Sequence, residues 1–303
     1  MEMHQLEAFA AVARERSFTR ASHFLHLTQP AVTRAVAALE SELKTRLFDR
    51  LGRTVQLTPS GETLLRYAER VLQLTREAKA AVTDIETGSA GRLAVGASST
   101  LATYLLPPLL AQFRQAHPAV EIGIHTGISA HIRTRVRSGA ADVGLVTTGP
   151  HDEATVGDGA MTMVPLAGLD TCVVMPPSHP MAASGCVSAA TLLSGGLPLL
   201  LMETGTNLRE YAEAVFGSAV VPAMELDNVE AIKRMIAAGL GFSLLPELAV
   251  RTEVIAGTLA TLKLSGVSHT SGRRIELVYR RDKYLTAALR RFIALLQAEV
   301  PKL

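Results

Sequence analysis

Residues 27–40 read LTQPAVTRAVAALE, and the way this stretch folds decides the N-terminal part of the chain. Thr28 is a good N-cap, and Pro30 is tolerated in a first helical turn, where N–H groups have no intrahelical acceptor. The proline therefore opens a helix. From Gln29 onward, Val32, Val36, Leu39 and Leu43 recur at i, i+4, i+7 and i+11 and form an apolar stripe, with Gln29, Thr33, Arg34 and Ala37 facing elsewhere. Upstream, Leu6, Phe9, Ala10 and Ala13 have helical spacing, and Ala21, Phe24 and Leu25 mark a second short helix. The stripe thus has two helices to face. Downstream, TRLFDRLGRTVQLTP (45–59) places the turn pair Leu51-Gly52 between short runs, as a two-stranded hairpin does. Three helices and a hairpin make a winged helix-turn-helix.

Thr58-Pro59 then caps a further helix, in which Leu64, Ala68, Val71, Thr75, Ala78, Val82 and Ile85 follow a 4-3-4-3 spacing as far as Gly88-Ser89. One seam on one long helix requires a cover. It either lies on its own domain or pairs with a second copy, and the small size of the preceding domain favours a dimerising linker. Beyond Gly91 the pattern changes to short apolar strands (RLAVGA, VEIGI, DVGLVT, TCVVM, LPLLLM) alternating with helices such as 101–116, 206–217 and 284–298. This predicts α/β lobes with parallel strands, the chain crossing between them at 162–169 and 263–272. The boundaries expected are 1–58 for the winged domain, 59–89 for the linker, 90–163 with 269–303 for one lobe and 164–268 for the other.

Composition limits the function classes. At 303 residues the chain exceeds one ordinary core. A net charge of +2 is too small for a wholesale polyanion binder, so nucleic-acid contact must come from a local arrangement of Arg and Lys. Two cysteines, Cys172 and Cys186, make no disulfide framework, and the absence of a secretory leader pattern and of any long apolar span predicts a cytoplasmic chain without membrane contact. Catalysis finds no nucleophile elbow or P-loop, and the histidines show no zinc spacing, so no cofactor or metal is expected.

The polar face of the helix at 29–43 is suited to DNA. Gln29 can bond adenine through N6 and N7, Thr33 can meet a base or a thymine methyl, Arg34 suits phosphate or guanine, and Thr28 lies at a helix N-terminus that offers N–H groups to phosphate. In the hairpin, Arg50 and Arg53 stand three apart around Gly52, as arginines reaching a backbone or narrow minor groove would. Each reads equally as a solvated wing charge or as a partner of Asp49. Taken together, the capped helix, its polar face and the wing point to DNA.

The segment SFTRASHFLHLTQPAVTRAVAALESELKTRLFDRLGRTVQLTPSG (17–61) resembles the N-terminal domain of LysR-type transcriptional regulators. The resemblance places Gln29, Pro30, Thr33 and Arg34 at the recognition-helix contacts and Arg53 at the wing arginine, with Leu39-Glu40, Leu47-Phe48, Leu57-Thr58 and Gly61 completing the motif. Thr33 stands where Ser is more usual. Lys44 stands where the family usually has Gly, at a cost of about 1 kcal/mol if the position is left-handed. Weaker similarity continues over 91–303. It implies a multi-domain α+β chain: a winged helix-turn-helix, a long linker helix and a two-lobed α/β effector domain of the periplasmic-binding-protein type. It further implies a homodimer, or a homotetramer built as a dimer of dimers, on a dyad-symmetric double-stranded DNA operator, with RNA polymerase as a further partner and a small-molecule effector between the lobes.

In open α/β sheets ligands bind beyond the carboxyl ends of strands, and here those positions are rich in hydroxyls. Ser98, Ser99 and Thr100 follow one strand, Thr126 and Thr147 the next two, and Glu203-Thr204 another, with Asn228 opening a later helix. Each alone reads more readily as a helix cap than as a ligand contact; their convergence favours a small anion or carboxylate, against which Glu203 stands. The competing reading is a solute-binding module whose N-terminal domain contacts protein instead of DNA, and an enzyme on the same lobes comes third.

Overall fold

The computed structural model describes residues 1–51, 54–87, 91–149, 159–266 and 272–302, without the side chains of 50, 51, 54, 80 and 83–87. The chain divides into two compact units, one built on residues 1–88 and one on the chain beyond.

In the first unit α1 (Met3–Glu15), α2 (Phe18–Leu25) and α3 (Gln29–Leu43) surround a core of Leu6, Phe9, Val12, Ala21, Val32, Val36 and Leu39. The stripe on α3 ends one turn earlier than its spacing predicts, because Leu43 is exposed and the chain turns away at Lys44. The wing is β1 (Phe48–Leu51) paired antiparallel with β2 (Thr54–Leu57). β1 runs through Leu51, which the spacing puts in the turn, and residues 52–53 lie outside the described residues.

Side chains clasp the wing to α3 and to the next helix. Glu40 accepts from the backbone N–H of Leu47 (2.7 Å) and Phe48 (3.3 Å), and the Thr58 hydroxyl donates to the Arg46 carbonyl (2.7 Å) while accepting from Gly61 N–H (3.0 Å). A Cβ at Gly61 would stand 2.1 Å from the Leu47 carbonyl oxygen, which only glycine avoids. The linker helix α4 (Pro59–Thr87) spends Leu64 and Ala68 of its seam on this core, whereas Tyr67, Val71, Leu74 and Val82 are exposed.

The second unit holds two lobes. Lobe I is a five-stranded sheet in the order β4-β3-β5-β13-β6: β3 (Gly91–Ser98) lies parallel to β4 (Val120–Gly127) and β5 (Val143–Thr148), and β13 (Arg274–Arg280) lies antiparallel between β5 and β6 (Met161–Gly168). The sheet is therefore mixed, not parallel, because its last strand returns from the far end of the chain. The first expected crossing is itself strand β6, so the passage out of lobe I comes after Gly168 rather than within 162–169. The helix expected at 101–116 is two, α5 (Ser99–Tyr104) and α6 (Leu106–Ala116), broken at Leu105 where Pro107 and Pro108 deny the preceding turn its donors. Leu101, Leu106, Leu109 and Phe113 pack one face of the sheet together with Phe292 of α12 (Ala287–Glu299). Ile132 and Val136 of α7 (Ser129–Ser138) pack the other face.

Lobe II opens with β7 (Thr171–Met175), β8 (Cys186–Val187) and α8 (Ala189–Ser194). It continues through β9 (Leu200–Met202), α9 (Asn207–Phe216), β10 (Met224–Leu226), α10 (Val229–Ala237), β11 (Ser243–Pro246), α11 (Glu247–Ile255) and β12 (Ala260–Leu264). Its four-stranded sheet runs β11-β7-β12-β8, antiparallel except for the β12–β8 pair, and β9 pairs parallel with β10. Along β7 the side chains alternate between two clusters, Val173 and Met175 in one, Cys172 and Val174 in the other.

A polar cluster joins the lobes. The Tyr104 hydroxyl at the end of α5 donates to Glu230 of α10. Lys233, 4% exposed, donates to Glu230 (2.7 Å) and to the Tyr104 oxygen (3.4 Å) and pairs with Glu253 of α11 (2.7 Å). Burial alone would raise the Glu230 pKa, but the hydrogen bonds from Lys233 and Tyr104 outweigh it and hold the carboxyl below its ordinary value.

Two predictions follow from these packings. Lys44 closes α3 with φ 52°, so Lys44→Gly should raise the stability of the winged unit by about 1 kcal/mol in urea unfolding; no gain would mean the lysine side chain recovers that cost elsewhere. A carboxyl with a depressed folded-state pKa stabilises above its unfolded pKa, about 4.3, and loses that contribution as pH falls through the folded value. Glu230→Gln should accordingly lower the urea midpoint of the two-lobed unit at neutral pH, with the gap to the parent closing below about pH 4. A gap independent of pH would contradict the ion-pair account.

Candidate functional sites

Three residues, His26 to Thr28, separate α2 from α3, the spacing of a helix-turn-helix. His26 makes the bend in a left-handed conformation (φ 54°), its N–H bonded to His23 and that of Leu27 to Ser22. Thr28 is the N-cap of α3, with extended backbone, yet its side chain makes no capping hydrogen bond. Thr28, Gln29, Pro30 and Arg34 are exposed and Thr33 is half-buried, all on the first two turns, while Val32 and Val36 hold the opposite face in the core. Among the described residues no hydrogen bond or ion pair engages the side chains of Gln29, Thr33 or Arg34. The helix end thus presents a carboxamide, two hydroxyls and a guanidinium ready for an outside partner. The side chain of Arg50, whose backbone pairs with Val55, and the whole of Arg53 lie outside the described residues.

The second site is a cleft between the lobes of the sensor, with a cavity of about 60 Å³, room for a few waters. From lobe I the ends of β3, β4 and β5 supply Ser98, Ser99 and Thr100, then Gly127 to Ser129, then Thr147. From lobe II the end of β9 supplies Met202, Thr206, Asn207 and Leu208, and the end of β10 supplies Asp227 and Val229. Four expected residues meet here: Ser98, Ser99, Thr100 and Thr147. Thr126 does not line the cavity; it is exposed on β4 one residue short of it. Glu203 and Thr204 are exposed in the turn before α9, where Thr206 and Asn207 take the lining positions. Asn228 is the α10 cap, its Oδ1 accepting from Ala231 N–H (2.7 Å) and its Nδ2 donating to Asp227 (2.7 Å).

Sequence reasoning missed Ser129 and Arg273. The Ser129 hydroxyl accepts from Thr147 N–H (3.1 Å) and meets the Thr147 hydroxyl at 3.1 Å, fixing that threonine. Arg273, immediately before β13, is 3% exposed and lines the cleft. Its Nη1 donates to Thr171 (2.8 Å), its Nε has no partner, and its guanidinium lies 5.9 Å from the Tyr211 ring centroid. Burial pushes its pKa down to about 10, with Tyr211 acting weakly the other way, so it remains charged at neutral pH. Other buried cations of this unit sit on carboxylates: Arg209 on Glu213 and Glu225, Lys233 on Glu230 and Glu253, Arg280 on Asp282. Arg273 has no carboxylate partner among the described residues. The only signal for it was an arginine at the head of a strand that sequence spacing places next to a crossing. The Ser98 hydroxyl, 6% exposed, is likewise buried without a partner.

The thiols offer no competing chemistry at this site. Cys172 is buried and its pKa is pushed up to about 12, chiefly by burial, the reverse of a reactive thiolate, and Cys186 is exposed on β8. No helix among the described residues is long and apolar enough to cross a membrane.

The bacterial regulatory helix-turn-helix model of the lysR family matches residues 3–62, and the LysR substrate binding domain model matches 86–301. The RuBisCO operon transcriptional regulator of Allochromatium vinosum is 30% identical over 306 residues, covering 100% of this chain and 98% of its own. The HTH-type transcriptional regulator YwqM of Bacillus subtilis is 31% identical over 298 residues, covering 97% and 98%. Among solved structures, a full-length OxyR variant from Pseudomonas aeruginosa is 27% identical with a TM-score of 0.73, covering 99% of this chain and 94% of that one. With both models matched in order and relatives aligned along nearly their whole length, the chain belongs to the LysR family, DNA-binding transcriptional regulators with an effector-binding domain.

Proposed function

We propose that this regulator reads a dyad-symmetric double-stranded DNA operator through Thr28, Gln29, Pro30, Thr33 and Arg34 of α3 and the wing arginines Arg50 and Arg53, and that its effector is a small carboxylate or other anion held in the cleft. The observation that carries the effector reading is the buried, carboxylate-free Arg273. A charge taken out of water costs several kcal/mol unless it is compensated, and an anion supplies the missing partner, with the idle Ser98 hydroxyl as a further donor. The small cavity favours a compact ligand, and a larger one has to part the lobes at the Tyr104–Glu230 contact. The exposed Tyr67, Val71, Leu74 and Val82 on α4 support pairing of two copies through the linker, which sets the spacing of half-sites, and two such dimers make the tetramer. Contact with RNA polymerase belongs to the same reading.

Selection of fragmented genomic DNA at physiological salt should recover a few fragments sharing a dyad. The Arg34→Ala, Arg53→Ala double variant should lose them and show a shallower salt dependence, by about one unit of log–log slope per lost phosphate contact. Weak, sequence-blind retention equal in both proteins would favour the solute-binding reading instead. Thr100→Ala should reduce thermal stabilisation by small carboxylates while leaving operator affinity intact; equal loss of both would contradict the division of labour between the units.

A further inference from the structure

The cleft carries a second charge, of the opposite sign, on an exposed side chain that has no cation partner among the described residues. Asp227 follows β10 and lines the same small cavity as Arg273. One carboxylate oxygen, Oδ1, accepts from Asn228 Nδ2 at 2.7 Å, and no cation among the described residues pairs with either oxygen. Asp227 and Arg273 do not pair with each other, although both open on the same cavity. Lys233, the nearest cation in sequence on α10, is already committed to Glu230 and Glu253. Asn228 links the two tasks of this corner, because its Oδ1 caps α10 while its Nδ2 holds the Asp227 side chain. It is a positioning residue for Asp227.

A cavity with an anion-seeking guanidinium and hydroxyl on one side and a cation-seeking carboxylate on another has a dipolar field. A monoanion satisfies only half of it, and a dianion puts its second charge against Asp227, where like charges repel. A molecule with a carboxylate at one end and an ammonium at the other satisfies both.

We propose that the effector is a small zwitterion of the amino-acid class, its carboxylate on Arg273 and Ser98 and its ammonium on Asp227. The proposal rests on the reading of this cleft as an anion-binding effector site and adds the cation subsite and the ligand's charge pattern.

The test is thermal melting and titration calorimetry of the full chain with the common amino acids, the matching hydroxy acids and simple carboxylates, succinate as a dianion, and ethylamine. At least one amino acid should raise the melting temperature while its hydroxy-acid analogue and ethylamine do not. Asp227→Asn keeps the shape of the side chain and its bond from Asn228, and should weaken that amino acid by roughly 10- to 100-fold. Ser98→Ala should weaken every carboxylate-bearing ligand alike. If hydroxy acids or succinate bind as well as amino acids, and Asp227→Asn changes nothing, the zwitterion proposal is overturned and the anion reading stands. If no carboxylate of any kind stabilises the parent protein, both are overturned. A folded Asp227→Asn protein, checked by circular dichroism and an unchanged melting temperature without ligand, separates a lost subsite from a loosened α10.

Discussion

Arg273 is the point on which the sensor turns. Its carbonyl accepts from Leu169 N–H (3.0 Å) and its side chain donates to Thr171 (2.8 Å), so one residue on the returning passage fastens the segment that leaves lobe I. A guanidinium held there, 3% exposed and with no carboxylate partner among the described residues, is costly to bury. The lobes can be built around it only if something else in the cleft answers its charge, whether water or ligand. Under the proposed reading an anion in the cleft answers that charge, the free energy of the arrangement depends on what occupies the cavity, and that dependence would let a small molecule bias the geometry of the domain. The Tyr104–Glu230–Lys233 cluster lies on two helices that also reach the cleft, since Thr100 of α5 and Val229 at the head of α10 both line it.

The DNA-reading unit solves the opposite problem. Its recognition helix has to expose polar groups that nothing in the chain satisfies, and it must hold them still. Rigidity comes from the other face: Val32, Val36 and Leu39 are fully buried or nearly so, and Glu40 ties the helix to the first strand of the wing through two backbone N–H groups. The same helix is thus fixed by its apolar stripe and its one clasping carboxylate, while its first two turns stay unengaged. Three non-glycine residues, Arg16, His26 and Lys44, take left-handed conformations, each closing one of the three helices. The turns are set by packing, against the local preference of the residues that make them.

The parts of this architecture written in short-range pattern were legible in the sequence. The capped start of α3, its stripe, the hairpin and Thr58 at the head of α4 all rest on contacts between residues close in the chain, and periodicity or turn chemistry reports such contacts. Ser98, Ser99, Thr100 and Thr147 line the cleft where the rule for strand ends in α/β sheets places them. What failed depended on distant partners. Strand direction in lobe I could not be read from alternating strands and helices, because β13 enters between β5 and β6 from more than a hundred residues away. Thr126 and Glu203 looked equivalent to their neighbours, and a shift of one to three residues at a strand end decides which side chain meets the cavity. Arg273 carried only the faint signal of an arginine at the head of a strand: what marks it is the carboxylate partner it lacks among the described residues, and no spacing records an absence.

The position of β13 has a consequence for how the molecule is made. The core of the winged unit is built from residues near the start of the chain, so it can pack early in synthesis. Until residues 274–280 emerge lobe I is a three-stranded sheet open at β5, with β6 left without a partner strand, and Phe292 of α12 completes its core later still. Synthesis therefore passes through a stage with a finished reader and an unfinished sensor, whose exposed strand edges invite pairing with the wrong chain. Loss of the last thirty or so residues would leave that stage permanent, a protein able to fold its DNA-binding end and unable to close the domain that governs it.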